Sequence, residues 1–133
     1  MPTAEDYGRA AELRGALRRF LRQSDELTRA HGLTTQRYEL LHVVKTPEGE
    51  GSRVTLTEIA RRLALAPSST TELVARAEAL GLVRRELDRA NRRAVYVALT
   101  EEGERRLAAA VADLVRERTA LTEIVSRLAR DEG

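Results

Sequence analysis

Three arginines crowd a short turn in the C-terminal half of the chain, and their chemistry suits phosphate recognition. Arg89, Arg92 and Arg93 separate residues 82–87 from residues 94–99, where apolar side chains alternate as they do in a half-buried strand. The pattern predicts a two-stranded ribbon with the arginines at its tip. Guanidinium groups stay charged and match phosphate geometry, so this tip favours contact with a nucleic acid. A solvated turn is the plain alternative.

A second polar cluster opens a predicted helix before the ribbon. Pro67, which suits the first turn of a helix, is followed by Ser68, Ser69, Thr70 and Thr71. Short hydroxyl side chains let a helix approach a groove closely and bond to phosphates or base edges. Free N–H groups at the helix start would also attract phosphate. Capping, above all by Ser68, is the structural alternative.

Composition points to one globular domain over residues 1–133. The chain is 42% hydrophobic and 33% charged, but only 3% aromatic, so aliphatic and alanine side chains must build a core of closely packed helices. The net charge is only +2, yet residues 84–93 hold five arginines and two acids. Such a local basic patch on a nearly neutral chain indicates nucleic-acid contact.

Several function classes are excluded or disfavoured. The chain has no cysteine, which rules out disulfides, thiolate zinc sites and thiol redox switches. No segment approaches a membrane span and the N-terminus lacks a signal pattern, so a cytoplasmic protein without membrane contact is expected. No triad, metal-ligand cluster or phosphate loop is visible. We therefore expect neither an enzyme nor a bound cofactor or metal.

Apolar periodicity and cap signals set the predicted elements. Helices are predicted at about residues 6–31, 57–64, 67–80 and 100–131, with a further helix opening at Thr34 or Thr35 and a short strand at residues 53–55. The inward face of the 67–80 helix is predicted to be Leu73, Ala77 and Leu80. Because Thr119 and Thr122 could both cap a helix, a break is expected near residues 118–122. The fold class is mostly α with a small β-wing, a winged helix-turn-helix.

Four motifs resemble the multiple-antibiotic-resistance regulator (MarR) family of bacterial transcription factors. They are Leu56-Thr-Glu-Ile-Ala60, Ser68-Ser-Thr-Thr-Glu-Leu-Val-Ala-Arg76, Gly81-Leu-Val-Arg-Arg85, and Asp88 through Leu99-Thr-Glu-Glu-Gly103. The resemblance covers nearly the whole chain.

The resemblance implies a homodimeric, ligand-responsive repressor that reads a pseudo-palindromic site on double-stranded DNA. The DNA-binding lobe would span about residues 35–99, and terminal helices at about residues 6–31 and 100–131 would dimerise. The recognition helix would contact DNA through Ser68, Ser69, Thr71 and Arg76. In the wing, Arg93 would enter the minor groove with Arg92 on the backbone beside it, and Arg89 belongs to the same basic tip.

Three positions depart from the family pattern. Asn91 stands where an aspartate commonly supports the wing arginine. Glu72 replaces an arginine or a small residue, and a carboxylate near phosphate is unfavourable unless it is paired. Ala77 replaces a common leucine, which leaves either a small void or a tighter helix approach.

Two further features suggest regulation and assembly. Phe20, Tyr38 and His42 are candidate pocket residues for an aromatic or apolar acid, although a core or interface role is the simpler interpretation of His42. Apolar stripes at Leu13/Leu17/Phe20 and Leu107/Val111/Leu114 favour a dimer interface, with intradomain packing as the alternative for the second stripe.

Two other functions compete with DNA-binding regulation. One is a winged-helix protein-interaction module that does not bind DNA specifically. The other is the dimerisation domain of an enzyme such as a methyltransferase, which is disfavoured because the sequence ends at Gly133 without room for a catalytic domain.

Overall fold

The computed structural model describes residues 1–48, 53–90 and 94–131. Over these ranges the elements run, in chain order, α1 (Ala4–Ala30), α2 (Thr35–Lys45), β1 (Val54–Thr55), α3 (Leu56–Leu63), α4 (Pro67–Ala79), β2 (Val83–Leu87), β3 (Val95–Leu99), α5 (Glu101–Asp113) and α6 (Val115–Asp131). This order of helices and strands confirms the predicted winged helix-turn-helix.

Threonine side chains start four of the helices. Thr3, Thr34, Thr55 and Thr100 each accept a hydrogen bond from the backbone N–H three residues further on. Such a bond satisfies a donor that the first helical turn leaves unpaired. The predicted start after Thr34 is therefore confirmed, and α1 ends as expected at His31, before Gly32 at φ 73°.

The three strands form an antiparallel sheet in the order β1-β3-β2. Val83 pairs with Leu99 and Leu87 with Val95, so β2 and β3 are aligned along their full length as the predicted ribbon. β1 adds a short third strand, with Val54 opposite Val97. Val54 and Val97 are both buried, which anchors the base of the ribbon to the core.

The core lies between α2, α3, α4, the sheet and the first half of α5. Ala110 of α5 is fully buried and Leu107 nearly so. The largest fully buried apolar side chains come from the other elements and from the segments that precede α2 and β2; they are Leu33, Leu40, Leu41, Ile59, Leu82, Val54, Val74 and Val83. The turn between α3 and α4 is closed by Ala64 in the left-handed conformation, at φ 54°. The two helices of the helix-turn-helix, α3 and α4, are thereby held in place by the packed core.

The last helical region breaks earlier than predicted. The interruption is at Leu114 (φ −88°, ψ 0°), between α5 and α6, and not near residues 118–122. Thr122 does not cap a helix, because its hydroxyl donates to the carbonyl of Arg118 one turn earlier, inside α6. A threonine in a helix interior can bond back in this way, so its presence alone does not mark a helix start.

The stripe on α5 was wrongly favoured as a dimer interface. Leu107 and Leu114 are buried within the protomer, and Val111 packs against the same core. The alternative of intradomain packing is therefore the one the structure supports for this stripe. The stripe on α1 differs, because Leu13 and Leu17 remain exposed.

Candidate nucleic-acid interface

The helix α4 separates cleanly into a buried face and an exposed face. Thr70, Leu73, Val74 and Ala77 are buried at the spacing of one helical face. Leu80 was wrongly placed on that face: it is the C-cap, 50% exposed, because the helix has ended at Ala79 and the chain turns away.

The predicted contact residues of α4 all lie on its other face. Ser68, Ser69, Thr71 and Arg76 are exposed. The Thr71 hydroxyl donates to the carbonyl of Pro67 at 3.0 Å, so its methyl group and its acceptor lone pairs are what it can offer a partner.

Capping by Ser68 is not observed. Ala66 is the N-cap and has no side-chain acceptor, and Pro67 occupies the first turn. The first-turn N–H groups of α4 are thus left without a side-chain cap, which suits contact with an anion. Ser68 is exposed and does not cap α4.

The acid that departs from the family pattern is paired. Glu72 Oε1 accepts a hydrogen bond from Arg76 Nη2 at 3.2 Å, and both side chains are about two-thirds exposed. The pair spans one turn of α4 on the exposed face. The carboxylate therefore meets the condition under which an acid is tolerated near phosphate.

Two of the five arginines in the basic stretch are engaged by acids at the base of the wing. Arg84 Nε donates to Glu86 at 2.9 Å, and its Nη1 donates to the carbonyl of Leu99. Arg85 donates to Glu78 of α4 through both its backbone N–H and its Nε. These contacts reduce the free positive charge that the sequence suggests.

The pairing of Glu78 with Arg85 joins α4 to the ribbon. Its hydrogen bonds hold the pKa of the Glu78 carboxyl below the ordinary value, so the acid stays ionised. Sequence reasoning missed this link, since Glu78 and Arg85 are separated by the end of α4. A helix acid seven residues before a strand arginine is too common a pattern to indicate it.

Asp88 organises the start of the turn. Its side chain accepts from the backbone N–H of Ala90 at 2.9 Å and from the hydroxyl of Tyr96 at 3.3 Å, and its own N–H donates to the carbonyl of Ala94. Tyr96 in turn lies under the guanidinium of Arg53, 3.7 Å from the ring centroid. An aspartate opening a turn could have been recognised from sequence, but its partner Tyr96 could not.

The tip itself is only partly within the described residues. Arg89 is exposed and forms no ion pair inside the described ranges. Asn91, Arg92 and Arg93 lie outside those ranges. Their predicted roles at the wing tip stay predictions.

The predicted pocket residues fall into two places. Tyr38 and His42 meet edge to face, with centroids 4.7 Å apart and a hydrogen bond of 2.8 Å between His42 Nε2 and the Tyr38 hydroxyl. Burial, with a smaller contribution from the positive charge of Arg118, lowers the pKa of His42, while burial raises that of Tyr38. Phe20 instead lines a cavity of about 60 Å³ between α1 and α6, whose walls do not include the other two residues.

Other kinds of site are not found in the described part of the chain. No group of three or more His, Cys, Asp or Glu residues there could hold a metal ion. None of the helices in residues 1–48, 53–90 and 94–131 is long and apolar enough to cross a bilayer.

Comparison with known proteins identifies relatives of this fold. Residues 31–94 match the family model described as the MarR family. A MarR-family transcriptional regulator from Rhodococcus sp. RHA1 is similar over 99% of this chain and 92% of its own, with 28% identity and a TM-score of 0.70. No curated protein sequence matches the chain significantly.

Two more distant structures share the fold. AbsC, a MarR family transcriptional regulator from Streptomyces coelicolor, has 24% identity and a TM-score of 0.75, over 91% of this chain and 80% of its own. A variant of MepR from S. aureus, bound to an oligodeoxyribonucleotide, has 18% identity and a TM-score of 0.70, over 86% and 81%.

Proposed function

We propose that this chain, of which residues 31–94 match the model of the MarR family, is a transcriptional regulator that binds a specific, pseudo-palindromic DNA site as a homodimer. The observation that carries this proposal is the division of α4. One face is fixed in the core by Leu73, Val74 and Ala77, and the exposed remainder presents short hydroxyl side chains, small apolar residues and an ion pair. A rigid helix with such a face fits the major groove.

The wing supplies the second DNA contact. The bonds between Glu78 and Arg85 fix the ribbon relative to α4, so a groove that receives the helix also determines where the ribbon lies. Arg89 at the described edge of the tip, together with Arg92 and Arg93, would meet the backbone and the adjacent minor groove. Arginine suits a narrow minor groove because its negative potential is enhanced there.

Exposed apolar side chains on the terminal helices support dimerisation. On α1 they recur one turn apart, at Leu13, Leu17 and Leu21, and on α6 they include Val115 and Val125. A contiguous apolar stripe of this kind on a small protein favours a protein partner. A second copy would place two recognition helices at a fixed separation, as successive half-sites about 34 Å apart require.

Regulation would act by changing the distance between the two recognition helices of the dimer. We propose a repressor whose operator overlaps a promoter and which releases DNA when a small aromatic or apolar acid binds between the terminal helices and the DNA-binding lobe. A binding place for such an acid is supported by the half-buried rings of Tyr38 and His42, which both lie within the influence of the positive charge of Arg118. Phe20 would approach the same ligand from α1 only if the helices shift.

Removal of the wing arginine tests the DNA-binding mode. Arg93→Ala is expected to weaken binding to a site selected from random DNA by about 1–3 kcal/mol, and to weaken binding to unselected DNA less, because a groove contact is lost. Fluorescence anisotropy on both duplexes measures the difference. Arg130→Ala, which removes one exposed arginine from α6, is the matched control and should bind both duplexes as the wild type does. Equal losses on both duplexes would make Arg93 a phosphate contact, and no loss would exclude the wing from the interface.

A further inference from the structure

The exposed face of α4 carries charged hydrogen-bonding groups in a fixed order. Arg76 gives one N–H to Glu72, at 3.2 Å, and keeps four of its five donors. The second carboxylate oxygen of Glu72 makes no hydrogen bond within the described ranges. The pair therefore presents donors from the arginine beside an acceptor from the glutamate.

Helix stability does not explain this pair well. Both side chains are about two-thirds exposed, and exposed ion pairs one helical turn apart contribute little to stability. A carboxylate on a helix that enters a phosphate-lined groove is moreover repelled unless it gains a specific partner. The pair would favour binding if a ligand presented acceptors to Arg76 and a donor to Glu72.

A guanine–cytosine pair has the matching order. Across the major groove it presents guanine N7 and O6, which are acceptors, and then the N4 amino group of cytosine, which is a donor. An adenine–thymine pair presents acceptor, donor, acceptor. The donors of Arg76 followed by the acceptor of Glu72 complement the first order and not the second.

We infer that Glu72 and Arg76 act together as the specificity determinant of α4, with Arg76 donating to guanine O6 and N7 while Glu72 accepts from N4 of the paired cytosine. This inference rests on the proposed function, since it requires α4 to enter the major groove. The existing bond between the two side chains holds them in register before DNA arrives, which lowers the ordering cost of binding. Thr71 beside them can only accept, because its own proton is directed to Pro67.

The test is in vitro selection from a random DNA pool with the wild type, Glu72→Gln and Glu5→Gln. Glu5, whose side chain is 85% exposed in the first turn of α1, is the control for loss of one negative charge. Affinities are then measured for the enriched site and for a copy in which one conserved guanine–cytosine pair per half-site is replaced by adenine–thymine.

For at least one choice of the replaced pair, the wild type and Glu5→Gln should bind the replaced site about tenfold more weakly than the enriched site. Glu72→Gln should discriminate there by only about threefold, because an amide can donate as well as accept and also suits adenine, while Arg76 still favours guanine. If the wild type enriches a site and Glu72→Gln keeps the same base preference, this inference is overturned while the proposed function stands. A wild type that enriches no sequence would overturn the proposed function as well.

Discussion

Gly103→Ala is expected to lower the free energy of unfolding by about 3 kcal/mol or more. A Cβ atom at residue 103 would lie 2.1 Å from the carbonyl oxygen of Leu82 and 3.1 Å from its carbonyl carbon, both of which are backbone atoms. No rotamer change relieves a clash with backbone, so α5 must move away from the start of β2.

That displacement would break several bonds together. The Leu82 carbonyl accepts from the N–H of Thr100, the Thr100 hydroxyl donates to the carbonyl of Gly81, and the N–H of Gly103 donates to Thr100. Leu82 itself is fully buried. The close approach of the Gly103 backbone to Leu82 thus couples the first turn of α5 to β2, the strand that follows α4.

Chemical denaturation with circular dichroism measures the effect. Gly8→Ala is the matched control, because a Cβ at that position in α1 would meet nothing within 4 Å. It should be neutral or stabilise the protein by up to about 1 kcal/mol, as alanine favours a helix. Equal stability of the two variants would show that α5 does not contact Leu82 as closely as described.

Leu17→Glu combined with Leu21→Glu is expected to convert a dimer into a folded monomer. These side chains are 39% and 58% exposed on α1, so the protomer loses little of its own packing when they change. Two carboxylates buried in a dimer interface, by contrast, would be desolvated without partners. Affinity for the enriched site should fall by about a hundredfold or more, since the second half-site no longer adds to binding.

Light scattering at micromolar concentration reports the mass, and circular dichroism the fold. Leu80→Glu is the control: Leu80 is similarly exposed but lies at the end of α4, so this variant should stay dimeric. A wild type that is monomeric at that concentration, or a double variant that stays dimeric, would remove α1 from the interface.

Local signals made much of the fold predictable. Thr34 and Thr55 cap helices because the bond from a threonine hydroxyl to a nearby N–H is set by three residues of sequence. The ribbon was predictable from alternation over residues 94–99. The burial of Leu80 and the helix break near residues 118–122 were predicted wrongly, because the point where a helix ends depends on what the following chain buries.

The site was less predictable than the fold. Exposure of Ser69, Thr71 and Arg76 follows from helical periodicity once the buried face is known. The bonds of Arg85 with Glu78 and of Asp88 with Tyr96 depend on how α4, β2 and β3 come together, which no short sequence window contains. Counting arginines therefore overstated the free positive charge of the wing base.

The salt dependence of DNA affinity tests the central claim most directly. The enriched duplex is titrated with the wild type at several salt concentrations, and the logarithm of the association constant is plotted against that of salt. With as few as about four phosphate contacts, affinity should fall about a hundredfold between about 50 and about 200 mM salt, because bound counterions are released. Absence of DNA binding at the lowest salt, or an affinity that salt does not change, would contradict a DNA-binding regulator and favour a protein-interaction module.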